Sequence, residues 1–549
     1  MLPFFRIYLV ALASLCCSST HATDVVVVCT PQWRPSLEPW VQLRQSQGLQ
    51  VAFCEPGRTA EQTRDQISSV RDQHTRFVML VGDATTIGQP REPYEVPAFY
   101  LPAVVTPRFG STPTFPTDSP YATSPPLDQD NDQPFTTMAV GRLPVRSAAQ
   151  LDQLVDRILR YEDSKDFGPW RRCLQLTGGI GGFGGFIDTA IESVTRTVLT
   201  SMLPIDVTPQ IAYASQGHPF CPPDIDFATA VQGRYANGSR FWVYAGHGSV
   251  DRLDLLERSQ SDAGSLAMGP MDDEQVRAPE STNSDSPYVV KSLIQNETVS
   301  RFSSPGSRAP IAVLLACYTG AIDAPGDCLA ERMLMSKGGP VAIIAATRLT
   351  MPYGNARVGL GLLTGIYDTN QRRLGDAWVA GRTGLTPQPP AGPTPKPVSP
   401  VQSMVDALAG MMSPADVDLT IERTEHAGLY VLLGDPTLNL HPPHPMELDA
   451  EFNREVGESV IDVTIISPIN GRLVVSVDRV LGGGPPTDAV ATADDPHGLV
   501  LAQHQSDVEA GQTIDLRIPL SASEPETVVV RALVGGETNW ASAAKSIAR

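Results

Sequence analysis

The sequence predicts an α/β protein built on parallel sheet, followed by an all-β antiparallel unit. Three observations carry that prediction. Apolar runs such as Val25-Val26-Val27-Val28 and Ile311-Ala312-Val313-Leu314-Leu315 contain no polar residue, as expected of strands covered on both faces. Helical patterns stand between successive runs, the rhythm of βαβ units. After His441-Pro442-Pro443-His444-Pro445 the pattern changes to short alternating strands separated by turn residues.

Residues 1–22 read as a secretory signal peptide. Arg6 precedes an apolar stretch from Ile7 to Leu15, and Thr20-His21-Ala22 offers a small residue for cleavage. Cys16 and Cys17 suggest a lipid anchor, but Ala13-Ser14-Leu15 fits a lipobox poorly. No later stretch reaches the ~20 apolar residues of a membrane span, so the mature chain is expected to be exported and soluble. Its first strand begins almost at the cleavage point, which leaves no room for a long propeptide.

From Asp24 the expected order is a strand at 25–28, a helix from Leu37 to Gln47, a strand at Val51-Ala52-Phe53, a helix from Ala60 to Arg71, and a strand Phe77–Val81 that ends in Gly82-Asp83. Residues 85–135, rich in Pro, Thr and Asp, read as a long irregular connection rather than core. Regularity returns at Met138–Pro144. Ser147 then caps a helix to Glu162, with Leu151, Leu154, Val155, Ile158 and Leu159 on one face. A second α/β unit starts near Trp170, with strands at Cys173–Leu176, Ile205–Thr208, Arg240–Tyr244, Ile311–Ala316 and Val341–Ala346. Residues 251–309, poor in apolar side chains, read as an exposed insertion, and the Pro-rich 386–400 as a spacer. Strands at Val460–Ile466, Arg472–Val477, Thr513–Ile518 and Glu526–Leu533 complete a β-sandwich. The division is therefore 1–22, 23–168, 169–443 and 446–549.

The 549 residues carry a formal charge of -19, which argues against nucleic acid or an anionic membrane as partner, since binding by counterion release needs a basic surface. Six cysteines follow the signal segment, too few for a disulfide framework in a chain this long. Cys29 and Cys54 end neighbouring strand candidates and are the first pair to test. A Cys317–Cys328 bond would silence a nucleophile at Cys317.

Two motifs carry chemistry: Tyr244-Ala245-Gly246-His247-Gly248-Ser249 and Leu314-Leu315-Ala316-Cys317-Tyr318-Thr319-Gly320. Each follows a buried strand, and ligands gather at the carboxyl ends of strands in open α/β sheets. A thiol becomes a nucleophile as thiolate, and an imidazole can take its proton. Gly248 lets the backbone approach a substrate carbonyl, so its N–H and that of Cys317 are candidate oxyanion donors. The structural alternative is that Cys317 is a small core residue and His247 a turn residue.

Other signals are weaker. Gly178–Gly185 lacks the Lys-Ser/Thr of a phosphate loop and reads as a flexible, substrate-facing loop. Asp128-Gln129-Asp130-Asn131-Asp132 spaces carboxylates as calcium loops do, but Gln133 and Ala139 replace the expected Gly and Glu. A structural calcium ion there competes with a solvated acidic loop. His218 and Cys221 have no second pair at zinc spacing, so no metal site is expected, and Ser249 lacks a nucleophile elbow.

The two motifs resemble those of gingipain-type cysteine peptidases, peptidase family C25 of the caspase-like clan. The flanking segments resemble that family in the same order: Leu80-Val81-Gly82-Asp83-Ala84; Thr117-Asp118 and Tyr121 ahead of Val140–Val145; Tyr161-Glu162; Gly338–Ala345; and Leu432-Leu433-Gly434-Asp435-Pro436-Thr437. Together they cover about residues 24–440. The resemblance implies two caspase-like parallel-sheet subdomains, the second with the dyad, and an immunoglobulin-like sandwich. It makes His247 the catalytic histidine and Cys317 the nucleophile, which need not touch in the free enzyme. Three departures stand out. Leu176-Thr177-Gly178-Gly179 carries no acid where the best-known members place a glutamate that assists the histidine, which leaves the third catalytic position open. Asp188 falls near the acidic residue that binds the substrate's basic side chain in Arg-specific members. It equally suits the first turn of a helix from Phe186 to Leu199. Residues 248–316 make a longer connection than the family pattern.

The expected function is that of a secreted cysteine endopeptidase, acting on proteins or peptides through a Cys-His dyad and an acyl-enzyme, with no required cofactor. The rivals are a non-catalytic, surface-associated binding protein on the same fold and a cysteine-dependent transpeptidase.

Overall fold

The structure, a computed structural model, describes residues 22–123, 138–182, 188–189, 192–193, 203–215, 218–222, 226–258, 288–386, 400–455, 458–482, 491–520 and 526–548. The signal segment up to residue 21 and the acidic 128–132 loop lie outside them.

One ten-stranded sheet runs through the α/β part. Its order is Val51–Cys54, Val25–Val28, Phe77–Val81, Ala139–Leu143, Tyr430–Leu433, Ala342–Ala346, Ile311–Leu315, Phe241–Ala245, Cys173–Gly179 and Thr208–Ala214. The two predicted parallel units are thus halves of a single sheet. Tyr430–Leu433 joins them, pairing parallel to Ala139–Leu143 and antiparallel to Ala342–Ala346. Unbroken apolar runs arise because both faces are covered. Val25, Val27, Phe77, Met79 and Val81 pack in one core with Leu37, Trp40 and Leu151, while Val26, Val28, Val78 and Leu80 pack in another with Ile67. The helices that cover the N-terminal half of the sheet are Arg34–Ser46, Ala60–Val70 and Ala148–Glu162, the last capped by the Ser147 side chain as predicted.

Several boundaries differ from the sequence reading. The outermost strand is Thr208–Ala214, later than the predicted Ile205–Thr208. Residues 85–123 supply core: Phe99–Pro102 pairs with Thr114–Thr117, and Phe115 and Tyr121 are buried. The start and end of the 251–309 connection form a hairpin, Arg252–Arg258 against Tyr288–Gln295. All six cysteines from Cys29 onward are free, so Cys29–Cys54 and Cys317–Cys328 are unbonded.

The family-like segments turn out to be structural ties. Arg142, fully buried, donates two hydrogen bonds to Asp118 and further ones to the carbonyls of Gly82 and Val96. At the sheet junction Arg44 makes a bidentate pair with Glu162 (2.8 Å for each bond) and reaches Asp435 at 2.6 Å. Asp435 also accepts from Trp40 and from the amide and hydroxyl of Thr437, and the paired Arg44 holds its carboxyl below the usual range.

After residue 443 two facing sheets enclose a separate core of Ile461, Val463, Ile465, Leu473, Val475, Val477, Val528 and Val530. One sheet has five strands and the other three. A loop of this sandwich meets the outermost strand of the large sheet. His497 Nε2 accepts the Ile211 N–H at 2.8 Å, Arg234 donates to the Ile211 carbonyl, and the Tyr213 N–H reaches the Phe220 carbonyl.

Two predictions follow from these buried groups. Arg44→Met leaves two carboxylates buried without their cation and should cost about 3–5 kcal/mol of stability, read by denaturant unfolding. Burial lowers His426 to about 4 and both His441 and His497 to about 3, from an ordinary 6.5. These imidazoles stay neutral in the fold but take protons near 6.5 when unfolded, so their stabilising contribution is lost as pH falls below 6.5. Glu422 opposes them: burial raises it from 4.5 to about 7, so its contribution is lost as pH rises through that window. Each imidazole therefore gives the unfolding free energy, measured by denaturant unfolding, a slope of about 1.4 kcal/mol per pH unit between 4.5 and 6.5, against which the buried Glu331 and Asp376 act together with Glu422. His497→Gln, which keeps an acceptor for Ile211, should flatten that slope.

Candidate active site

Parallel pairing sets Leu315 beside Ala245, and Ala245 beside Gly178. The chain beyond each strand therefore emerges at one edge of the sheet. Two residues past Ala245 comes His247, and two past Leu315 comes Cys317. The motifs meet through Gly248. A Cβ on that glycine would lie 2.8 Å from Thr319 Cγ2, 2.9 Å from Ala316 Cβ and 3.1 Å from the Cys317 carbonyl oxygen. Only the missing side chain allows this approach. His247–Ser249 is itself a short strand, held antiparallel to Arg252–Asp254. The connection predicted to be an insertion thus begins by fixing the histidine's backbone.

Cys317 sits on a tight turn. Tyr318, next to it, has φ 59°, a left-handed conformation that a bulky side chain adopts only under constraint. Tyr318 N–H donates to the Arg348 carbonyl and Gly320 N–H to that of Ala346, which clamps the turn to the end of the adjoining strand. Arg348 in turn forms a buried pair with Asp323, which also accepts from Tyr100.

The Cys317 thiol is half-buried and its pKa is raised by desolvation. Its polar neighbour is Thr350, whose N–H donates to Sγ at 3.3 Å and whose carbonyl and hydroxyl oxygens both lie 3.6 Å from it. The segment bearing Thr350 is braced from behind. Met351 N–H donates to His426 Nε2, and the His426 ring lies so close to Gly354 that a Cβ there would be 2.2 Å from it.

His247 Nε2 lies 2.8 Å from the Gly181 carbonyl oxygen. A carbonyl only accepts, so Nε2 carries the proton and Nδ1 is left as the basic nitrogen. The strand that lacks an acid at Leu176–Gly179 thus continues into a loop that supplies a main-chain acceptor instead. Thr177 points elsewhere, accepting from Trp242. Asp188 is 4% exposed, in a helical turn shortly after Gly181.

Sequence reasoning named His247, Gly248, Cys317 and Asp188 but missed the Gly181 carbonyl and Thr350. A main-chain acceptor leaves no mark in residue type. The glycine run after a strand was the available signal for the first. Thr350 had none beyond its place just past a buried strand. His218 pairs with Glu192, and no metal-binding cluster of His, Cys, Asp and Glu occurs among the described residues.

No curated protein matches the chain. Among solved structures it is similar to the complex of the pro- and mature domains of Porphyromonas gingivalis RgpB, with 14% identity, a TM-score of 0.49, and 96% of this chain and 99% of that one covered. It is similar also to the Arg-specific cysteine proteinase gingipain R, with 14% identity, a TM-score of 0.47, and 96% and 98% covered. A third likeness is to dimeric latent PorU of Porphyromonas gingivalis, with 12% identity, a TM-score of 0.32, and 95% of this chain but 43% of that one covered. The family model for peptidase family C25 matches residues 18–441, nearly all of the α/β part with both motifs inside it, and the chain belongs to that family of cysteine peptidases.

Proposed function

We propose that the chain is an exported endopeptidase in which Cys317 attacks the substrate and His247 moves the protons. The observation that carries this reading is the packing of Gly248 on the Cys317 backbone, which brings the histidine and cysteine turns to one side of the sheet edge. Export rests on the apolar segment after Arg6. Among the described residues no helix is long and apolar enough to cross a membrane.

Because burial raises the Cys317 thiol, the resting sulfur holds its proton. His247 Nδ1 accepts that proton as Sγ bonds to the substrate's carbonyl carbon. The negative charge gathers on the former carbonyl oxygen, where the N–H groups of Gly248 and Cys317 are the proposed donors. The C–N bond then breaks, and His247 returns the proton to the leaving amine, leaving a thioester on Cys317. A water molecule gives a proton to His247 and its oxygen to the acyl carbon, and the thiolate leaves and is reprotonated. The Gly181 carbonyl keeps the imidazole in one tautomer throughout. Thiol and imidazole suffice for this cycle, so it requires no cofactor. Asp188 is the proposed partner of a basic P1 side chain.

Three outcomes check the reading. Cys317→Ala and His247→Ala should each abolish peptide hydrolysis, and a thiol-directed peptidyl probe should label wild type but not Cys317→Ala. Undiminished turnover by Cys317→Ala sinks the mechanism. Gly248→Ala forces a methyl against Ala316 and Thr319 and should lower kcat by about 10²–10³, the loss typical of a displaced oxyanion donor. Cleavage of a mixed peptide library should show Arg or Lys at P1, and Asp188→Ala should erase that preference.

A further inference from the structure

The contacts around Cys317 leave one residue whose role the dyad does not include. We propose that Thr350 is a further catalytic residue, a two-donor cradle for the sulfur whose hydroxyl is aimed by Asn355 and Tyr430. This inference rests on Cys317 being the nucleophile.

Two of the bonds have a definite direction. Tyr430 O–H donates to Asn355 Oδ1 at 2.6 Å, and Asn355 Nδ2 donates to Thr350 Oγ1 at 3.0 Å. The threonine oxygen therefore receives a hydrogen bond, and its own hydrogen is left for one of two acceptors beside it, the sulfur or the Tyr430 oxygen. Cys317 Sγ is 3.6 Å away, with the Thr350 N–H donating to it from 3.3 Å. Thr350 and Tyr430 are buried, so water competes little for these groups.

The cradle acts when the proton leaves. While Sγ is a thiol it can give its hydrogen to the Thr350 carbonyl. Once that proton has passed to His247, the sulfur is an acceptor only, and the N–H and O–H of Thr350 both point at its charge. Hydrogen bonds to a charged group are stronger than those to a neutral one, so the pair favours thiolate over thiol. It works against the desolvation that raises the Cys317 thiol. The other titratable groups that face the sulfur are Tyr244 and Tyr430, with His426 and Glu422 behind the Met351–Gly354 segment. Neither tyrosine donates to the sulfur: Tyr244 is turned to the carbonyls of His247 and Asp254, and Tyr430 to Asn355.

The test is the pH dependence of iodoacetamide alkylation, followed on the Cys317 peptide of the full chain by mass spectrometry. Thr350→Val keeps the N–H and the shape but removes the hydroxyl. It should slow alkylation at neutral pH on the order of tenfold, the loss of one charge-assisted hydrogen bond, and converge on wild type at high pH. Thr350→Ser should restore the wild-type profile. Asn355→Asp replaces the aiming donor with an acceptor that draws the hydroxyl away, and should slow alkylation with Thr350 still in place. Superimposable profiles for wild type and Thr350→Val overturn the proposal. So does a slow Thr350→Ser, which would make the methyl and not the hydroxyl responsible. Peptide hydrolysis by Cys317→Ala separates the premises: retained turnover defeats the assignment of the nucleophile, whereas an inactive Cys317→Ala with unshifted Thr350→Val alkylation defeats the cradle alone.

Discussion

The buried cation Arg44 is the constraint on which the architecture turns. It lies on the first helix, yet its partners come from the end of the helix Ala148–Glu162 and from Asp435, just past the strand that joins the two half-sheets. Such a cluster gains little over apolar packing, but each partner without the others is costly. Here the carboxylates are met in full, by Trp40, Gln47, Thr437 and the Asn439 N–H as well as by Arg44. The cluster thus fixes where Tyr430–Leu433 lies. That strand sets Ala342–Ala346, which sets Ile311–Leu315 and then Phe241–Ala245. Cys317 and His247 inherit their positions from this sequence of neighbours.

Much of the fold was legible because burial on both faces writes itself as an apolar run. Val25–Val28 and Ile311–Leu315 need no context to be read. What failed was what depends on partners distant in sequence. A single continuous sheet follows from the pairing of Tyr430–Leu433 with both halves, and no local pattern states that. The strand Thr208–Ala214 contains Thr, Pro and Gln because the sandwich, rather than apolar layers, covers part of it. Residues 85–123 hid their core members because Phe115 and Tyr121 are isolated among prolines and threonines. At the site, side-chain chemistry was readable and main-chain chemistry was not. A carbonyl such as that of Gly181 belongs to every residue.

That carbonyl bears on the proposed pairing of His247 with Cys317. A carboxylate beside the histidine would offset an imidazolium's charge. The Gly181 carbonyl offers a dipole, and it orients the ring. The strained Tyr318 turn and the clamps at Arg348 and Ala346 hold Cys317 in place by its backbone.

The sandwich's grip on the outermost strand bears on how the molecule behaves in a crowd. An open sheet edge is a template on which another chain can lay a strand. Along Thr208–Ala214 the residues facing outward are Pro209, which has no N–H to offer, Ile211, whose N–H and carbonyl are taken by His497 and Arg234, and Tyr213, whose N–H is taken by Phe220. The Ile211 and Tyr213 groups along this margin are therefore already engaged. The appended β domain contributes one of these stoppers, His497, and the α/β part supplies Arg234 and Phe220. A chain shorn of it would keep His247 and Cys317 and still bare the Ile211 N–H, a foothold for a strand of its own copies.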